Sequence, residues 1–310
     1  MTEEQKDRYI SMGKSLLSKV SKQDEFFTRL DSILLPLAGE NFEWAGIQIA
    51  RFIATEYGAK VIIFHRGSKD LTPYVKPFEE FKIQTEIITK SKSSGHTADL
   101  IVEEAGKSDY QLMVIPSRRR PKWLDRFLTW ESVSAKVIPR VKFNTLQVYE
   151  PRGRIFDLSN SSGMGRVAIL LPRTERDLYL IFYANSLLSS NGKLFTYHFA
   201  DLPYLTPLRE SFDSEIIVQE KKEYETIVES YSTLFSTHIT PKFILAHDLV
   251  KAATRVINSS PLDESPEIVL IGQSMDFRLF RLRTISDKLI DRLKPPVAVH
   301  YWSKEFYKYI

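Results

Sequence analysis

The sequence contains no cysteine, which excludes disulfides, thiol nucleophiles and thiolate metal sites. No apolar stretch approaches the roughly 20 residues that a bilayer-spanning helix needs, and the N-terminus is charged rather than built as a secretion signal. A soluble cytoplasmic protein is the expectation. Glycine is scarce, 12 in 310 residues, and no Walker loop, nucleophile elbow or zinc pattern occurs. Gly163 and Gly165 stand close together, but they precede a strand pattern instead of following one, so they are no dinucleotide fingerprint. The six histidines (His65, His96, His198, His238, His247 and His300) lack metal-ligand spacing. His65 and His198 fall at equivalent strand ends, where a structural role is expected. His247 with Asp248 reads as a helix start, and Asp263 with Glu264 as part of a Ser/Pro-rich turn. No catalytic constellation emerges, and an enzyme is not expected.

Against these absences the chain repeats itself. Residues 33–39 (ILLPLAG) and 168–174 (AILLPRT) are apolar runs broken by proline and followed by a helical pattern. Residues 133–141 (VSAKVIPRV) and 285–293 (ISDKLIDRL) match again, Ser134 with Ser286 and Lys136 with Lys288. A repeat of this length is two copies of one α/β unit, far longer than a solenoid repeat. With 43% apolar and 12% aromatic residues, the chain can bury two ordinary cores.

The division read from the sequence is an N-terminal helical extension over residues 1–31, a first domain over 32–150, a linker over 151–165 and a second domain over 166–310. In the extension, Tyr9, Met12, Leu16 and Val20 recur at near-helical spacing. Over residues 1–30 six basic and five acidic residues nearly cancel, which favours packing on the body over lying on a membrane. In the first domain, strands are expected at 33–37, 60–65, 82–89, 110–115 and 145–149. Helices are expected from an Asn41 cap to Gly58, from Thr97, and around Val133 and Val137. In the second domain, strands are expected at 167–171, 193–199, 239–245, 267–271 and 297–301. Its helices start at Thr174, run through Tyr224, Ile227, Val228 and Tyr231, and run through Leu249, Ala252, Ala253 and Val256. Strands alternating with helices imply two doubly wound parallel-sheet domains of five strands each. The last strand of each is an edge that invites pairing.

Net charge is +4, but it is unevenly spread. Residues 118–142 hold eight basic side chains against Asp125 and Glu131, and residues 276–294 hold six against three acidic ones, leaving the remainder net acidic. Both basic segments fall at the same point of the repeat. Trp123, Phe127 and Trp130 interleave with the arginines of the first.

The strand–helix order, the ILLPLAG opening, and a hydrophobic strand followed by a loop and a [VI]-S-x-K-[VL] helix resemble the universal stress protein family. The resemblance covers about residues 32–150 and again 167–302. It implies a doubly wound sheet in each half, dimers formed through the fifth strands, and in some members ATP at the carboxyl ends of the first and fourth strands. For a tandem chain the fifth strands would pair with each other inside one molecule or with a second chain. Tandem copies also resemble the cytoplasmic tails of certain membrane transporters.

Nucleotide-binding members of that family carry Gly, two residues, Gly, nine residues, Gly, then Ser or Thr after the fourth strand, because glycine lets backbone N–H groups approach phosphate. In the first half Pro116 and Arg119 stand at the first two glycines and Ser132 at the hydroxyl position. In the second half Gly272 survives, Met275 replaces the second glycine, and Arg283 precedes Thr284. The family's acid after the first strand is absent, with Ala38 and Thr174 near its place. Arginine can replace backbone N–H groups as an anion ligand, since its guanidinium presents a fork of donors.

These residues support three readings. The first is a non-enzymatic, tandem universal-stress-like binding or regulatory module with a basic surface for an anion or a partner. Its ligand candidates are Arg118, Arg119, Arg120, Lys122 and Ser132 in the first half and Gly272, Ser274, Arg283 and Thr284 in the second. It requires no cofactor. The second is an adenine-nucleotide sensor holding ATP or AMP at Gly272, Ser274 and Thr284. The third is a ribosome- or RNA-associated stress factor, with aromatics stacking on bases and binding that falls steeply with salt.

Overall fold

The computed structural model of the chain describes residues 30–119, 132–151, 156, 158, 161–171, 177–201, 214–273 and 285–301. The expected N-terminal helix, the aromatics of the first basic segment, and the candidates Arg120, Lys122, Ser274, Arg283 and Thr284 lie outside these residues. The described strands form one ten-stranded sheet in the order β3-β2-β1-β4-β5-β10-β9-β6-β7-β8. The first half supplies β1 (Ser32–Leu37), β2 (Lys60–Arg66), β3 (Thr85–Lys90), β4 (Leu112–Ser117) and β5 (Asn144–Tyr149). The second supplies β6 (Met164–Leu170), β7 (Leu188–Asp201), β8 (Ile239–Ala246), β9 (Ile268–Gln273) and β10 (Val297–Tyr301).

Within each half every pairing is parallel. The halves join through β5 and β10, which run antiparallel from Val297 opposite Tyr149 to Tyr301 opposite Thr145. The fifth strands therefore pair with each other, and neither edge is left to receive another chain. The sheet ends instead at β3 and β8. Pro241 in β8 has no N–H to offer, and β3 carries Glu86 and Lys90, which blunt these edges against further pairing.

Eight helices are described: α1 (Trp44–Tyr57), α2 (Thr72–Glu80), α3 (Thr97–Ala105), α4 (Val133–Val137), α5 (Asp177–Leu187), α6 (Ser214–Leu234), α7 (Leu249–Asn258) and α8 (Ile285–Ile290). Strand alternation divides the core in two. Ile33, Leu35 and Leu37 of β1 join the layer beneath α1, α2, α5 and α6, and this layer runs unbroken across both halves. Leu34 of the same strand joins the layer beneath α3, α4, α7 and α8. Tyr57 of α1 stacks on Phe182 of α5, ring centroids 4.9 Å apart, over the seam. His300 of β10 is fully buried beside the rings of Tyr183 and Tyr179. Burial pushes its pKa down to about 3, so the ring is neutral.

Three local expectations are corrected. Asn41 does not cap α1. It opens a 3-10 turn, Asn41–Glu43, and Glu43 occupies the cap position. The helix does stop at Gly58, whose φ of 65° is the left-handed conformation that glycine adopts without strain. α2 has no counterpart in the sequence reading; Pro73 lies in its first turn, where its missing N–H is not needed. The strand expected from residue 82 begins only at Thr85. Lys82, at φ 56°, terminates α2, with Lys82 N–H donating to Glu79 O and Ile83 N–H to Phe78 O. That 5→2 and 6→1 pair is a Schellman closure. The reading of Asp248 holds, since its Oδ1 accepts from Lys251 N–H at 3.0 Å and caps α7.

Candidate functional site

In a doubly wound sheet a ligand crevice opens where the strand order reverses, which in the first half lies between the carboxyl ends of β1 and β4. The β1–β4 ladder covers only Ile33 with Leu112 and Leu34 with Met113. Further along, Pro36 and Pro116 have no N–H with which to continue it. The opening between the two strands is nevertheless filled. The ring of Pro116 packs so closely on Gly46 of α1 that a Cβ there would lie 2.7 Å from Pro116 Cγ. Pro116, which the resemblance sets at a glycine position of the nucleotide motif, is thus packed against α1.

The backbone donors of the β1–α1 connection are also occupied. Ala38, Gly39 and Glu40 present three successive N–H groups, with Gly39 at φ 78°, and such a nest attracts anions. The carboxylate of Glu43 takes all three, at 2.6, 2.8 and 2.8 Å. Glu43 is 2% exposed. Burial raises its pKa, and the three bonds from the backbone only partly oppose the shift. In the first turn of α1, Ala45 N–H donates at 2.6 Å to Oε1 of Glu150, which follows β5. Burial pushes the Glu150 pKa up to about 7, against the bond from Ala45 and the charge of Arg119. Two of the chain's own carboxylates thus sit where an anionic ligand would meet the start of α1.

A pH dependence follows from Glu150. A carboxyl whose folded pKa exceeds its unfolded value favours the native state at low pH, and that contribution is lost as pH rises from about 4.5 to about 7. Glu43 shifts in the same direction. Discounted for partial exposure, the Glu150 effect is on the order of 1–2 kcal/mol. Glu150→Gln keeps an acceptor for Ala45 and removes the titration. Its thermal midpoint is expected to match the wild type at pH 5 and to lie a few degrees above it at pH 8, as scanning calorimetry will read. Parallel pH profiles for the two proteins contradict the assignment.

The described sequence candidates divide by what they touch. Arg118 remains at the surface, its guanidinium 4.7 Å above the Phe42 ring and 3.8 Å from Glu40, which Lys69 also approaches at 3.8 Å. Arg119 is turned into the seam between the halves. Its Nε donates to Glu150 O at 2.5 Å, Nη1 to Ile290 O at 2.6 Å and to Leu293 O, and Nη2 to Pro295 O at 2.5 Å. Ser132 caps α4, its Oγ accepting from Ala135 N–H at 3.2 Å and lying 3.0 Å from Ser134 Oγ. Ser134 in turn accepts from Gln147 Nε2, which also donates to Ser117 Oγ, while Gln147 Oε1 accepts from Tyr301 OH of the second half. Gly272 ends up on β9, opposite His300 in register. The structure therefore brings Arg118 alone of these four to an open rim with its charged head.

The sequence reading missed Glu43, Glu150 and Lys69. The spacing of Glu40 and Glu43 at a helix start resembles a capping box, which is the one signal that could have found Glu43. His65 and His198 have the structural contacts expected of them. His65 Nδ1 lies 3.0 Å from Leu37 O, and His198 Nε2 lies 3.5 Å from Glu220 on α6. Among the described residues, no group of three His, Cys, Asp or Glu side chains could hold a metal, and no helix is long and apolar enough to cross a membrane.

No family profile and no curated protein matches the chain. Solved structures do. A functionally unknown protein from Pseudomonas aeruginosa PAO1 is similar at 12% identity and a TM-score of 0.56, over 91% of this chain and 96% of its own. A universal stress protein from Archaeoglobus fulgidus DSM 4304 is similar at 14% identity and a TM-score of 0.55, over 90% of this chain and 99% of its own. The likeness shows the fold: the doubly wound α/β architecture of this chain is similar to that of the solved universal stress protein.

Proposed function

We propose that the chain is a non-enzymatic binding and regulatory module of the universal-stress fold, in which one half takes an anionic ligand and the other is closed by its own side chains. The observation that carries this reading is the pair of carboxylates, Glu43 on three amides of the β1–α1 connection and Glu150 on the amide of Ala45 in the first turn of α1. A bound anion in the first half would have to displace both, and Pro116 against Gly46 leaves its backbone no approach. Arg119 and Ser132 serve the seam and a helix cap. In this reading ligand binding falls to the second half, with Gly272, Ser274, Arg283 and Thr284 as its sequence candidates and an adenine nucleotide as the class that the surviving glycine and hydroxyls suit. Arg118 and the basic loops around it serve a partner surface.

Calorimetric titration of the full chain with ATP and with AMP tests the reading. At most one equivalent is expected to bind, without turnover, and Thr284→Ala is expected to weaken it while Arg118→Ala does not. Two equivalents per chain, or steady release of inorganic phosphate from ATP, would overturn it.

A further inference from the structure

Outside its closed nest, the carboxyl rim of the first half presents an open surface. Lys69 and Arg118 both approach Glu40 at 3.8 Å, with 50% and 70% of their side chains exposed. Two cations thus share one surface carboxylate, and ion pairs this exposed contribute little. Over residues 38–44, 65–74, 90–92 and 117–119 the basic side chains are Arg66, Lys69, Lys90, Lys92, Arg118 and Arg119, against Glu40, Glu43 and Asp70. Glu43 is engaged by the nest and Arg119 by the seam, and Asp70 is bonded to Thr72. The cations left at the rim therefore outnumber its acids. Lys92 extends them toward β3, since a Cβ on Gly67 would lie 3.4 Å from its Cε.

Aromatic rings stand among these charges. Phe42, in the 3-10 turn before α1, lies 4.7 Å beneath the guanidinium of Arg118. Trp44 opens α1 and stacks on Tyr74 of α2, with ring centroids 5.5 Å apart and planes 26° apart. Tyr74 is buried, whereas Phe42 and Trp44 are half-buried, so part of each ring meets solvent while a neighbour backs it. The strongly exposed aliphatic side chains Ile87, Val133, Val218, Leu262 and Ile285 all fall outside these residues. A protein partner is anchored mainly by apolar side chains in a central, desolvated patch. The rim offers flat rings and long cations instead, the combination that holds an unpaired strand by its bases and its phosphates together.

We infer that this rim binds single-stranded nucleic acid, with bases stacked on Phe42 and Trp44 and phosphates held by Arg118, Lys69 and Lys92 in competition with Glu40. The inference rests on the reading of Arg118 as part of a partner surface and names that partner. It is independent of the nucleotide candidates of the second half.

Fluorescence anisotropy of a short labelled oligouridylate, titrated with the full chain, tests it. Three phosphate contacts on a single strand give a slope of about −2 for log Kobs against log salt concentration. Arg118→Ala is expected to weaken binding about fivefold and to make the slope shallower by about 0.7. Phe42→Leu and Trp44→Leu keep apolar bulk but lose the flat face, and each is expected to weaken binding about tenfold at unchanged slope. Glu40→Gln keeps an acceptor in the turn and removes the competing charge, so it is expected to tighten binding about threefold. A duplex of the same length, whose bases are not free to stack, is expected to bind at least tenfold more weakly. Strand binding that none of the Arg118, Phe42 and Trp44 substitutions alters overturns the inference, as does equal affinity for polyglutamate of matched charge, which would mark a surface for acidic protein. Displacement of the strand by AMP also overturns it, by placing the strand in the second half. No binding of the strand at low salt overturns it too, and the partner-surface reading falls with it only if polyglutamate fails to bind as well.

Discussion

Replacing Arg119 by alanine is expected to destabilise the chain by about 2–4 kcal/mol and to split its urea unfolding into two steps. One guanidinium serves four carbonyls: Glu150 beyond β5, and Ile290, Leu293 and Pro295 at and beyond the end of α8. Hydrogen bonds to a charged donor contribute about 1.5–3 kcal/mol each, but these share one side chain and a half-buried setting, so their sum is well below additive. A cation is also favourable at a helix carboxyl end. Because the carbonyls come from both halves, losing the donor weakens their docking more than either core. Arg119→Lys, with a point charge in place of a planar fork, is expected to recover less than half of the loss. A midpoint within 0.5 kcal/mol of the wild type, together with lost anion binding, would return Arg119 to the ligand role its place in the repeat implies.

The contrast between those two roles marks where the sequence stops being legible. Continuous apolar runs such as residues 60–65 and 297–301 are placed correctly because a strand buried on both faces must be apolar throughout, and this property is local. The repeat of residues 133–141 in 285–293 also foretells two matching halves, while the fifth strands invite pairing without saying whether with each other or with a second chain. Errors arise where a distant partner decides. Lys82 reads as the start of a strand until the closure of α2 claims it, and α2 itself goes unread although Tyr74, Val75 and Phe78 bury one of its faces. In the site, the missing glycines are visible as Pro116 and Arg119, so the loss of the phosphate loop is legible. What replaces it is not: Glu150 reaches Ala45 across 105 residues and Arg119 reaches Leu293 across 174, and no spacing rule connects such positions.

The second large effect is expected at Arg51, in the middle of α1. Its side chain is wholly buried, an unusual place for a guanidinium. The charge lies 4.4 Å from the centroid of the Phe52 ring and 4.1 Å from that of Phe81, and Nη2 donates to Leu158 O at 2.8 Å and Ser161 O at 2.9 Å. Burial lowers its pKa, with Glu80 opposing. The aromatic faces and carbonyls compensate a desolvated charge, and in doing so they bind the segment between the halves to the first of them. Alanine removes the donors, the ring contacts and most of the volume together, and is expected to destabilise by about 3–5 kcal/mol. Methionine keeps the volume and the packing on both rings, so it is expected to recover about half of that in urea unfolding. The two substitutions should nevertheless act alike on the connecting segment, because neither can donate to Leu158 and Ser161. Exchange of the Ser161 amide, which bonds to Leu158 O at 3.0 Å, is expected to accelerate by an order of magnitude or more in both. If Arg51→Met exchanges there at the wild-type rate, the guanidinium is a packing element only, and the connection between the halves is held by something else.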